Sequence, residues 1–184
     1  MNGNQADNSL PDAGAVDVFA RGTMGQWTQQ AYLKPDIHDL SSDNTGQAFG
    51  GAVTVQGNTV VAGSIGEYSD HLNPRAWVFT RSPAGVWTQQ QALTALVPGQ
   101  FGGRFGYSFG LSGDTLVVGE PLVGDNGYAG DAHVFTRNAG VWTRQAVINP
   151  SGASGTYAGV GFSVALDGGT FVVGTGRTFW GNTG

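Results

Sequence analysis

Residues 105–121 read FGYSFGLSGDTLVVGEP. A Phe-Gly pair opens the stretch and a short β-rich run follows. Gly113–Asp114 interrupts it, and the second run, Thr115–Gly119, is almost wholly apolar. A Gly-Asp pair between two such runs suits a hairpin turn. A continuous apolar run of this length is what a strand buried on both faces requires. The pattern begins again at Phe49 (FGGAVTVQGNTVVAG) and at Val160 (VGFSVALDGGTFVVG), so it recurs 56 and then 55 residues on. A period of this size outranks any single local signal, because it makes the fold a stack of like units.

A second block lies between these copies: VFARGTMGQWTQQAYL from Val18, VFTRSPAGVWTQQQAL from Val78 and VFTRNAGVWTRQAVI from Val134. In the best-preserved copy the unit has four strand-like runs, Phe105–Leu111, Thr115–Gly119, Ala132–Arg137 and Val141–Ile148. No segment keeps the spacing of an amphipathic helix over a useful length. The expected fold is all-β: a β-propeller segment of about three four-stranded antiparallel blades, one split between the N- and C-termini. Residues 49–104 and 105–159 form the two whole blades. Residues 160–184 supply the first two strands of the split blade, and residues 1–48 its last two strands with an inter-blade loop. Val117, Val118, Val172 and Val173 are predicted on buried second strands. Trp27, Trp87 and Trp142 share one position on the fourth strand. They are read as packing residues rather than sugar-stacking platforms, because a position reused in every unit serves the unit. Arg21, Arg81 and Arg137 are read in the same way, as a repeated strand-end contact, and His133 as a structural residue on a strand.

Composition narrows the classes. The chain has 184 residues, enough for one domain with a core. Its 32 glycines follow no collagen period, and 11% aromatic residues argue against a disordered chain. A net charge of -5 argues against a nucleic-acid partner. Cysteine is absent, so nothing depends on disulfides. No apolar run is long enough for a membrane span. The opening residues, MNGNQADNSLPDAG, lack the basic and apolar regions of a secretory signal.

The stretch FGYSFGLSGDTLVVGEP resembles the FG-GAP repeat, named for a Phe-Gly pair and a later Gly-Ala-Pro. Phe105–Gly106 matches the first element and Gly119–Glu120–Pro121 approximates the second. Phe49–Gly50 matches as well, whereas Val160–Gly161 replaces Phe-Gly in the last copy. The resemblance extends over essentially the whole chain and is closest to the bacterial and environmental form of the repeat. The family includes the seven-bladed head of integrin α-subunits. The resemblance implies an extracellular or cell-surface binding or adhesion module and no catalysis. Alternatives are a carbohydrate-binding propeller and an accessory propeller of an exported enzyme. A protein or glycan is the expected ligand. Three blades are fewer than closed propellers carry, so neighbouring blades would come from the same gene or from self-association.

Candidate site residues lie on the loops that differ between copies. Integrin-type repeats often carry a D-x-[DN]-x-D-G calcium loop, which this chain lacks. Asp125, Asn126 and Asp131 are oxygen donors of the right hardness for Ca²⁺, at a spacing that departs from that loop. Ca²⁺ is therefore expected to be at most a weak ligand, and no other cofactor is expected. Asp36, His38, Asp39, Tyr68, Asp70 and Tyr128 are the expected ligand-face residues. Tyr68 and Tyr128, with Trp180, would line that face in a carbohydrate binder. Glu67, Glu120, Asp7, Asp12 and Asp43 add to an acidic rim suited to a cation or a basic partner. No H-E-x-x-H or G-x-S-x-G motif is present.

Overall fold

Each apolar run becomes a strand. The computed structural model describes residues 14–35, 48–64, 75–95, 104–121, 129–149 and 159–176. These hold twelve strands and no helix. Strands β1 (Val16–Arg21) and β2 (Trp27–Leu33) form a two-stranded sheet. Strands β3 (Phe49–Gln56), β4 (Thr59–Ser64), β5 (Arg75–Arg81) and β6 (Trp87–Thr94) form a four-stranded antiparallel sheet in sequence order. Strands β7 (Ser108–Ser112), β8 (Thr115–Glu120), β9 (Asp131–Asn138) and β10 (Val141–Ile148) form the second such sheet. Strands β11 (Val160–Asp167) and β12 (Thr170–Thr175) form the last pair. Two whole blades thus stand between two half-blades. The described residues show no pairing between the halves, so the stack is not closed.

The turns follow from their residues. Gln56 pairs with Thr59, Ser112 with Thr115 and Asp167 with Thr170, leaving two-residue loops. Only the first loop residue, Gly57, Gly113 or Gly168, has positive φ, which is the type II′ pattern. Between the third and fourth strands the first two copies use longer loops. Gly22 N donates to Gln26 O at 2.7 Å and Ser82 N to Val86 O at 2.9 Å, with Gly25 and Gly85 in the left-handed region. The third copy is one residue shorter. Its loop is therefore Ala139–Gly140, with φ of 48° and 83°, a type I′ turn. Ala139 carries a Cβ where Asn or Gly is preferred. Ala139→Asn, which places Asn-Gly in the turn, is expected to stabilise the fold by on the order of 1 kcal/mol. Urea denaturation of the two proteins measures the difference.

The Trp-Thr-Gln-Gln motif also has a geometric role. In each fourth strand the ladder skips one residue, Gln30, Gln90 or Gln145, as a β-bulge. Across the interface between the two whole blades, Trp142 uses this bulge. Its Nε1 donates to Gln90 Oε1 at 3.2 Å, and its backbone N donates to Gln91 Oε1 at 2.9 Å. Gln91 Nε2 returns a bond to Trp142 O at 2.9 Å. Trp142 is 3% exposed, so the packing reading holds there, and Trp87 is likewise buried. Trp27 is 67% exposed, because no sheet lies on that side of β1–β2 among the described residues. Arg137 makes the repeated arginine contact in full. Its Nε donates to Asp114 Oδ1 at 2.7 Å, its Nη1 donates to Thr59 Oγ1 of the preceding blade at 3.1 Å, and its guanidinium stacks on Trp142. Arg81 reaches Gln30 of the preceding sheet, and Arg21 reaches only its own loop.

The core lies between sheets. Val61, Ala76, Val78 and Leu93 of one blade pack with Phe105, Leu111, Leu116, Val118, Phe135 and Trp142 of the next. Val16, Ala31 and Leu33 of the first half-blade pack with Phe49, Val60, Ala62, Trp77, Phe79 and Trp87. Val117 and Val118 are fully buried, as expected. The expectation fails for the last copy: Val172 is 64% exposed and Val173 is half-buried. The β11–β12 sheet has a neighbour on one face only, so the residue that points the other way meets no packing partner.

Candidate functional site

Strand direction decides from which end of the sheets each loop leaves. First and third strands start, and second and fourth strands finish, at the same end. Both the inner loops and the inter-blade loops leave from that end. Asp36, His38, Asp39, Tyr68, Asp70, Asp125, Asn126 and Tyr128 all lie outside the described residues, as do Glu67, Asp7, Asp12, Asp43 and Trp180. Of the expected donors only Asp131 is described. Its Oδ1 accepts a 2.9 Å bond from Asn149 Nδ2, which also donates to Gly130 O at 3.0 Å. That clamp ties the start of β9 to the end of β10. Among the described residues no three His, Asp or Glu side chains stand together as a metal-ligand group.

Glu120 is not a rim acid. It ends β8 as a buried side chain, with Oε2 at 2.7 Å from Nε2 of buried His133. Phe105 meets the His133 ring edge-on at 5.2 Å. In the preceding blade the same position is Trp77, which Phe49 meets edge-on at 5.5 Å, and Glu120 is replaced by Ser64. A Trp–Ser combination in one blade thus becomes a His–Glu combination in the next. Burying a carboxylate is costly unless it is paired, and His133 supplies the partner. The repeat alignment held this signal, since both positions change together between copies.

The Phe-Gly pair is structural. Phe49, Phe105 and Val160 are buried, and Gly50, Gly106 and Gly161 have φ of 93°, 88° and 92°. A Cβ on Gly106 would lie 3.1 Å from the Arg75 carbonyl oxygen of the preceding blade, and one on Gly161 would lie 2.6 Å from that of Asp131. The motif lets two blades approach backbone to backbone where a side chain would separate them.

Four-stranded antiparallel sheets stacked face to face, opened by Phe-Gly in the two whole blades and followed by a half-blade opened by Val-Gly, define a propeller-type repeat protein. The family model described as FG-GAP repeat matches residues 87–135, from the start of β6 into β9, so this part of the chain is similar to that repeat. No curated protein matches the chain.

Proposed function

We propose that the chain is a non-catalytic, extracellular or cell-surface binding module that engages a protein or glycan through the loops at one end of its blades. The observation that supports this is the division of labour between strands and loops. Two described charged pairs, Glu120 with His133 on the strands and Asp114 of a hairpin loop with Arg137, are engaged in holding the sheets. The loops that leave the opposite end from the hairpins differ between copies and carry most of the acidic residues. Variable loops on a repeated scaffold are the usual place for recognition.

The experiment is a glycan array run beside capture of extracellular-matrix proteins. The wild-type chain is compared with Asp36→Ala/His38→Ala/Asp39→Ala and with Tyr68→Ala/Tyr128→Ala. Binding lost in either variant, with an unchanged melting curve, supports the reading. Glycan binding lost only with the tyrosines would select a carbohydrate ligand. Retention of all binding by both variants would sink it. Ca²⁺ at 1 mM is expected to move the melting temperature by no more than about 1 °C, as for a weak ligand. A large rise that Asp125→Ala abolishes would overturn that expectation.

A further inference from the structure

Each inner loop hangs from two chain ends, the end of a second strand and the start of a third. In the second blade these are Glu120 and Asp131, the last pair of the ladder between β8 and β9. The Glu120 side chain then crosses to the neighbouring strand, where its Oε2 lies 2.7 Å from Nε2 of His133. Both side chains are buried. From the other side Asn149, just past β10, donates to Asp131 Oδ1 at 2.9 Å and to Gly130 O at 3.0 Å. The start of β9 is thus held by side chains from both of its neighbours.

The first blade closes the same point by other means. Its ladder between β4 and β5 stops one pair earlier, at Gly63 opposite Ala76. Ser64, at the position of Glu120, is buried, and its Oγ accepts from Arg75 N at 3.3 Å. The hydroxyl stands where the next ladder bond would form. A Ser and a Glu at one repeat position therefore do one job with side chains of different reach. Core packing alone asks for no polar atom at either position, because a buried polar side chain is costly unless it is bonded.

We propose that Ser64 and the Glu120–His133 pair, with Asn149, are clasps: positioning residues that fix the roots of the inner loops, residues 65–74 and 122–128, and so set where those loops are presented to a ligand. Holding the ends of a recognition loop in place reduces the ordering that binding must bring about. Ser64, Glu120 and His133 are buried, so they act through the loops they hold rather than on the ligand. The clasps do not depend on what the loops recognise; only their link to recognition rests on the binding reading above.

Hydrogen–deuterium exchange of the ligand-free chain tests the clasps. Glu120→Ala is expected to speed exchange over Gly130–His133 about tenfold or more, the scale of one buried hydrogen bond lost, while β4 and β5 keep the parent's rates. Glu120→Gln, whose amide can still bond the ring, is expected to exchange like the parent. Asn149 is exposed, so Asn149→Ala does not threaten the fold. It is expected to speed exchange at Gly130 and Asp131 severalfold and to leave the melting temperature unchanged. Ser64→Ala is expected to speed exchange at Arg75 and Ala76 in the same way. Equal acceleration in both blades for Glu120→Ala would make the pair a general core contact. Parent-like rates in Asn149→Ala and Ser64→Ala would mean that the roots are held without them. Either result overturns the clasps. For the link to recognition, Asn149→Ala is compared with the parent on the ligand found by the glycan array or the matrix capture. Binding weakened severalfold supports the link. Undiminished binding overturns it while the loop reading stands. A parent chain that binds nothing removes the loop reading and the link with it, while exchange still decides the clasps.

Discussion

Val117→Asp is expected to unfold the chain, while Val172→Asp, at the same position of the repeat, leaves its sheets intact. Val117 is wholly buried between β7–β10 and the β11–β12 pair. A carboxylate there has no partner, because its cross-strand neighbours are Gly110 and Val134. Burying an unpaired charge costs several kcal/mol, a large fraction of what holds a domain together. Val172 lies on the open face of the last sheet, so its replacement leaves the new charge in water. Thermal melts followed by circular dichroism decide the matter. Equal losses for the two variants would mean that Val172 is as buried as Val117 within a single chain. A Val117→Asp protein that melts with its parent would show that the interface between the second blade and the last half-blade contributes little.

Gly119→Ala is expected to be among the most damaging losses of a glycine. A Cβ at this position would fall on the Gly161 carbonyl oxygen of the next sheet and on Ser108 Oγ. Ser108 Oγ donates to that same carbonyl at 2.8 Å, so the site is already filled by a bridge between the sheets. Two backbones would have to separate, and overpacking of this kind costs about 3 kcal/mol or more. Gly168→Ala is the control. Its φ is 54° but no atom lies within 4 Å of the added Cβ, so only the conformational penalty remains, about 1 kcal/mol. Chemical denaturation curves for the two variants separate close approach from backbone preference. A Gly119→Ala protein no less stable than Gly168→Ala would refute the close-approach account.

Most of the fold could be read from residue order because its determinants are local. Hairpin turns announce themselves by Gly with Asn, Asp or Gly, and the twelve strands occupy the apolar runs between such signals. The repeat tied those runs into four-stranded units, and the strands of the best-preserved copy fall within a few residues of their expected limits. The candidate site was far less legible. Glu120 looked like a loop acid, because a single sequence does not reveal that the strand extends to it and that His133 turns toward it. The equivalence of His133 with Trp77 is visible only when one blade is laid on the next.

Burial is where tertiary structure took the decision. Trp27 and Trp142 sit in the same motif, and Val172 and Val117 in the same apolar run, yet one of each pair is open to solvent and the other is enclosed. No property of the residue or its neighbours in the chain distinguishes them. A propeller blade is buried by the blades beside it, and whether a neighbour is present is a property of the stack. The residues of each unit alone determined the strands, the turns and the glycines that let sheets meet. The stack decided which apolar faces are core and which remain open, because the hydrophobic contribution is realised only where a second surface removes the first from water.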